Sequence, residues 1–166
     1  MNFFRKFLWK KLGKNIYKIT TPTLSTKNYL VKNNIFPHEK VFLLRDPVLN
    51  VKKINKQKKE KLDSRLVNKK FILGIGRLTR QKNFQFLIKN FKTINEKHKN
   101  FYLVILGDGE EKKKLFETIN NLGIADKVLL LGFQKNIYPY LKNSKCFVLS
   151  SLWEDPGFVL IEAAFL

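Results

Sequence analysis

Four apolar runs decide most of what this chain can become: Phe71-Ile72-Leu73-Gly74-Ile75-Gly76, Phe101 to Leu106, Val128 to Leu131 and Cys146 to Leu149. Each is short and has no polar face, so each reads as a strand covered on both sides. The segments between them carry the helical period instead. Asn83 to Lys97 puts Phe84, Leu87, Ile88, Phe91 and Ile94 on one stripe, and Glu110 to Leu122 turns Leu115, Ile119 and Leu122 inward before the capping Gly123. Ile137 to Leu141 reads as a short helical turn, and another helix opens near Gly157. Buried strands alternating with helices require an α/β fold with a parallel sheet clothed on both faces.

The chain before Lys70 is less regular. Residues 1–18 read as a basic amphipathic helix: Phe4, Leu8 and Leu12 recur at helical spacing beside Phe7, with Arg5, Lys6, Lys10, Lys11 and Lys14 between them. Its apolar face either lies on an anionic membrane surface or packs on a domain. A short strand then runs from Ile19 to Thr23, a helix over 24–33 is stopped by Asn33-Asn34, and the strand Val41 to Leu44 is stopped by Asp46-Pro47. From Lys52 to Lys61 lysine dominates and no apolar period survives, which predicts a solvated linker or loop. A helix that opens near Gly157 finds no cap before Leu166, so the chain is expected to be a piece of a longer protein.

Charge bears on partners rather than fold. Thirty-three Lys and Arg stand against 13 Asp and Glu, a net +20, which suits nucleic acid, an anionic membrane or a phosphate-bearing substrate. Heavy use of Lys, Asn, Ile and Phe offers a blander source of the same charge, a biased genome. The lysine-rich stretch lacks interleaved aromatics for base stacking, so nucleic acid is not the expected partner. The lone cysteine, Cys146, permits no internal disulfide and is expected to be a buried core thiol in a reducing, cytoplasmic setting. His38 and His98 have no ligand-spaced neighbours, so no metal is expected.

Three places at strand ends carry chemistry. In Gly76-Arg77-Leu78-Thr79-Arg80-Gln81-Lys82-Asn83, glycine permits close backbone approach, and Arg77 and Lys82 flank a loop that opens a helix. Two cations beside a helix N-terminus suit a diphosphate; a solvated basic loop is the alternative. Gly107-Asp108-Gly109 makes a sharp strand-to-helix turn, with Asp108 read as a helix cap rather than a metal ligand. In Ser151-Leu152-Trp153-Glu154-Asp155-Pro156-Gly157-Phe158-Val159-Leu160-Ile161-Glu162-Ala163, Glu154 falls in the turn and Glu162 in the helix. Carboxylates there can accept hydrogen bonds from two hydroxyl pairs of one ligand, or they can be ordinary surface acids.

Taken in order, Gly76-Arg77-Leu78, Gln81-Lys82-Asn83, Gly107-Asp108-Gly109, Gly132-Phe133 and Ser151 to Ala163 resemble the donor-binding half of the retaining family 4 glycosyltransferases of GT-B fold. Glu154 and Glu162 match that family's E-x7-E signature, and Thr21-Pro22-Thr23 with Asp46-Pro47-Val48 look like its interdomain connector. The resemblance implies a GT-B Rossmann-like parallel sheet as a partial C-terminal domain over 70–166, a connector with a lysine-rich loop over 23–69, and at 1–22 a helical remnant of the acceptor domain. It also implies roles. Arg77 and Lys82 would hold the diphosphate of a nucleotide-sugar, Glu154 the transferred sugar, and Glu162 the ribose, with Gly76 and the backbone near Gly157, Phe158 and Val159 lining the site. Glu154, Arg77 and Lys82 would be the catalytic groups, with no metal and no other cofactor. Partners would be the nucleotide-sugar, a glycan or lipid-linked acceptor and an anionic membrane surface on the cytoplasmic side of the inner membrane. The order Glu154-Asp155-Pro156-Gly157-Phe158 departs from the family's commonest turn, which places Gly directly after the first Glu. The competing reading is a non-catalytic basic module for nucleic acid or anionic membrane.

Overall fold

The structure is a computed structural model that describes residues 3–45, 49–154 and 157–166. The chain divides into two compact units, Met1–Pro47 and Val48–Leu166.

The first unit holds α1 (Phe3–Leu12), β1 (Ile19–Thr21), α2 (Leu24–Lys32) and β2 (Val41–Leu43). β1 and β2 pair in parallel, Ile19 opposite Val41, with α2 as the crossover. Thr23 caps α2 by accepting the Thr26 N–H at 3.1 Å, and Asn34 turns the chain away at φ 49°. Leu30, Ile35, Phe36 and Val41 form the small core. α1 is shorter than expected because Gly13 to Asn15 tighten into a 3-10 turn. It buries none of its residues and touches the unit at an edge, through Trp9 against the Phe36 ring and Lys6 on Asn33. Phe3, Phe4, Phe7 and Leu12 stay exposed, so the expected packing of this apolar face does not occur within the unit. The Asp46-Pro47 stop and the Asp46-Pro47-Val48 part of the connector lie outside the described residues.

The second unit begins earlier than residue 70. The stretch expected to be a solvated linker contains α3 (Val51–Gln57), so that expectation was wrong. Asn50 caps α3 by accepting the Lys53 N–H at 3.0 Å, and lysine is a good helix former. One apolar residue suffices to dock it: Ile54 is fully buried in the same core as Leu66, Phe71 and Leu73. A single anchor generates no periodicity, which is why the pattern missed it.

The sheet follows with β3 (Lys70–Ile75), α4 (Phe84–Lys97), β4 (Phe101–Leu106), α5 (Lys112–Asn121), β5 (Val128–Leu130), α6 (Tyr138–Asn143), β6 (Cys146–Phe147) and α7 (Phe158–Phe165). The strand order is β5-β4-β3-β6 and every pairing is parallel. Strand alternation divides the core in two. Leu103 and Ile105 face Phe84, Leu87, Ile88 and Phe91 of α4 and Leu115 and Ile119 of α5. Phe71, Leu73, Val104 and Leu106 face α3 and α6 on the other side. Ile94, expected on the α4 stripe, is partly exposed because it lies past the end of that packed face. Cys146 is exposed, not buried. β6 pairs only with β3 and over two residues, so among the described residues the sheet covers it on one side alone.

Candidate functional site

The carboxyl ends of β3, β4 and β5 are stitched together by backbone. Gly76 N–H donates to Leu106 O at 3.0 Å, Gly107 N–H to Gly132 O at 2.8 Å, and Leu78 N–H to Asp108 O at 2.9 Å. Gly107 has to be glycine: at φ 141°, a Cβ there would fall on the Gly76 carbonyl oxygen. Leu78, almost fully buried, nails the following loop into the core, so Arg77 and Thr79 to Asn83 are presented from a fixed base.

A cavity of about 260 Å³ opens over these strand ends, lined by Gly76, Arg77, Gly107, Asp108, Phe133 and Gln134 among others. This is the place where an open α/β sheet binds ligands. The Arg77 guanidinium is exposed and has no hydrogen bond or ion pair to a described residue. Asp108 accepts the Gly109 N–H at 2.9 Å and pairs with Lys112 at 3.0 Å, which holds its carboxyl below the usual carboxylate range. The helix cap expected of Asp108 is not made. The cap position of α5 is Glu111, and no side chain caps it. Asp108 lies three residues before that cap position, too early in the chain to cap the helix, and accepts from the N–H of its neighbour Gly109 instead.

A second pair of loops meets beside the first. Lys82, before α4, and Glu154, before α7, are 72 residues apart in sequence, yet Lys82 Nζ lies 2.5 Å from Glu154 Oε1. Three more bonds zip the same loops. Ser150 Oγ donates to Lys82 O at 2.8 Å, Leu152 N–H to Gln81 O at 2.8 Å, and Gln81 Nε2 to Trp153 O at 2.9 Å. Ser151 Oγ also hydrogen-bonds Glu154. Both charged side chains are largely covered, 15% and 20% exposed, so the pair is stronger than a solvated one. Burial pushes the Glu154 carboxyl up, but the bonds from Lys82 and Ser151 and the Lys82 charge outweigh it, and the group sits below its ordinary value.

Each loop enters its helix through a left-handed residue, Asn83 at φ 52° before α4 and Gly157 at φ 65° before α7. A Cβ on Gly157 would stand 3.5 Å from the Glu154 side chain, so this turn packs directly on the acid. Phe158 and Val159 open the first turn of α7. Asp155 and Pro156, where the turn departs from the commonest family pattern, lie outside the described residues. Glu162, half-buried in α7, accepts from Tyr138 Oη at 2.8 Å.

Of the residues singled out by sequence, Gly76 and Arg77 therefore line one cavity, Lys82 and Glu154 are in contact, Gly157 abuts Glu154, and Glu162 is tied to α6. Ser151 and Gln81 stood inside the quoted stretches without a role of their own, and Gln134 stood in none of them. A serine pair before an acidic turn was the visible hint for the first; the other two owe their place to long-range folding. Among the described residues, no three His, Cys, Asp or Glu gather as a metal site, and no helix is long and apolar enough to cross a membrane.

The family described as glycosyl transferases group 1 matches residues 53–165. The chain belongs to this glycosyltransferase family. An uncharacterised glycosyltransferase of Methanocaldococcus jannaschii is 55% identical over 91 residues, 55% of this chain and 22% of that protein. The N-acetylgalactosamine-N,N'-diacetylbacillosaminyl-diphospho-undecaprenol 4-alpha-N-acetylgalactosaminyltransferase of Campylobacter jejuni is 42% identical over 94 residues, 57% of this chain and 25% of that protein. The amylovoran biosynthesis glycosyltransferase AmsD of Erwinia amylovora is 32% identical over 144 residues, 86% of this chain and 36% of its own length. The chain thus spans about a fifth to a third of these relatives. Among solved structures, the pneumococcal O-GlcNAc transferase GtfA in complex with UDP and GlcNAc superposes with a TM-score of 0.69 at 18% identity, over 98% of this chain and 31% of that one. Anabaena HepE in complex with UDP and glucose gives 0.66 at 16% identity, over 98% and 46%. At such identities the likeness speaks for the fold, and that fold is the α/β GT-B architecture of glycosyltransferases.

Proposed function

We propose that this glycosyltransferase chain carries the donor site of an enzyme that moves a hexosyl group from a nucleoside-diphosphate sugar to a glycan or lipid-linked acceptor, with retention of configuration, as in family 4. The contact between Lys82 and Glu154 is the observation that carries the proposal, because it joins the phosphate loop and the sugar loop into one polar site at a strand edge. Arg77, uncommitted to any described residue, and Lys82 hold the diphosphate. Negative charge grows on that diphosphate as the glycosidic bond breaks, and fixed cations there stabilise the transition state more than the ground state. Glu154 accepts from hydroxyls of the sugar, and Glu162 from the ribose. Pairing Glu154 with Lys82 also keeps its carboxylate compensated, so that it does not repel the incoming diphosphate.

The names of two relatives support the acceptor class: one acts on a diphospho-undecaprenol-linked sugar, the other in amylovoran biosynthesis. Cytoplasmic chemistry without a metal goes with this reading. Family membership lends no support to a non-catalytic basic module. Calorimetric titration with UDP-, GDP- and ADP-sugars tests the donor assignment. Saturable binding that falls at least about tenfold in Arg77→Ala and Lys82→Ala is expected, the size of a lost charge-assisted hydrogen bond. Unchanged affinity in both variants sinks the phosphate assignment.

A further inference from the structure

Glu162 is held by a residue that no motif pointed to. Tyr138 opens α6 and is buried, with only 8% of its surface exposed, and its Oη donates to Glu162 Oε1 at 2.8 Å. Its backbone is seated in turn. Tyr138 N–H donates to Asn136 Oδ1 at 3.1 Å, and Asn136 Nδ2 donates to Gln57 O at 2.9 Å and Glu60 Oε2 at 2.8 Å. An unbroken run of hydrogen bonds therefore reaches from the end of the lysine-rich helix α3, across the start of α6, to the acid on α7.

This matters because α7 has no fully buried residue. Packing alone gives the Glu162 side chain little to fix its rotamer, so a directional contact decides where the carboxylate points. Tyr138 suits that task. Burial first, and then the bond and charge of Glu162, push its hydroxyl up to about 12, so it stays protonated and donating across the working pH range. Tyr138 occupies Oε1 and leaves Oε2, which accepts from no described residue, for another donor.

We propose that Tyr138 is a positioning residue for nucleotide recognition: it aims the Glu162 carboxylate so that Oε2 meets the ribose hydroxyls, and so sets the preference for ribose over 2'-deoxyribose. This rests on the donor reading above, in which Glu162 accepts from the ribose. Tyr138→Phe removes one oxygen and keeps the buried ring.

The test titrates the full chain with UDP, GDP and ADP, then compares the tightest binder with its 2'-deoxy form in the wild type, Tyr138→Phe and Glu162→Ala, with melting curves alongside. The wild type is expected to favour the ribose form by about tenfold or more, the size of a hydrogen bond to a charged group. Glu162→Ala abolishes the preference. Tyr138→Phe cuts it to about threefold or less while leaving the 2'-deoxy affinity and the melting curve nearly unchanged. Should Glu162→Ala lose the preference while Tyr138→Phe keeps it, Tyr138 is no positioning residue and the ribose role of Glu162 stands. Should Tyr138→Phe weaken both forms equally and lower the melt, its role is structural and the proposal is overturned. If no diphosphate binds, or Glu162→Ala keeps the preference, the donor reading fails and takes this inference with it.

Discussion

Replacing Lys82 by methionine removes an ion pair that joins two loops of the site, its contact with Glu154. The aliphatic stem is kept and the ammonium removed, leaving Glu154 largely covered beside Ser151. An exposed pair is worth about 0–1 kcal/mol, whereas breaking a fully buried one costs about 3–5. With 15% and 20% exposure the pair falls between these limits, so a loss of about 2 kcal/mol at pH 7 is expected. For a chain of this size that is a fall of roughly 4–8 °C in melting temperature. The pH dependence provides the sharper test. The folded carboxyl of Glu154 lies below its ordinary 4.5, so its contribution is present above that pH and is lost as pH falls through the folded value. In Lys82→Met the main lowering contact is gone, and burial drives the carboxyl up. The deficit of the variant should therefore be full near pH 7 and shrink below about pH 4.5, where a protonated Glu154 no longer needs the ammonium. Circular-dichroism melts of the wild type, Lys82→Met, Glu154→Gln and the double variant between pH 3 and 7 measure both quantities, with the coupling energy from the cycle. Equal deficits at pH 3 and pH 7, or double-variant losses that simply add, would refute the coupling of the two loops through this pair.

Four further outcomes are expected from the same fold. Ile54→Ala should cost about 2–5 kcal/mol in a denaturant titration, because its side chain is fully buried; an unaltered midpoint would return 52–61 to the status of a loop. Gly107→Ala has a Cβ on the Gly76 carbonyl at a left-handed φ, so a loss of at least about 2 kcal/mol is expected, and wild-type melting would show that the strand ends are not so close. Arg77→Ala should leave the melting temperature within about 1 °C, since the side chain is exposed and unpaired among described residues, while nucleotide-sugar affinity drops in calorimetry. Cys146 should react with a thiol reagent in the native protein at nearly the rate of the denatured chain, a result that a buried core thiol would not give.

Legibility in the sequence tracked the range of the interaction. β4 emerged at its predicted bounds, and α4 within one residue, because a six-residue apolar run and a five-point apolar stripe are local signals. The order of the chemical loops was also local, since each follows directly from the end of a strand. α3 was lost because one buried isoleucine among lysines has no period. Cys146 was misjudged for the opposite reason: an apolar run predicts a strand but not whether a neighbour covers it. The lysine-rich helix also turns out to anchor Asn136, a contact across 76 and 79 residues that no pattern reading reaches.

What this sequence settled by itself was the class of fold and the edge on which chemistry gathers, because apolar period and glycine placement act over a few residues. What only the tertiary structure decided was the pairing of side chains on that edge. Lys82 and Glu154 were read as two independent ligand contacts, yet the folded chain makes them partners, since the parallel sheet brings the loops after β3 and β6 side by side. Tyr138 was read as a residue of a short helical turn, yet burial and a neighbouring helix make it the donor that holds Glu162. Hydrogen bonds of about 3 Å depend on register and crossover geometry, and those are set by the whole sheet rather than by any stretch within it.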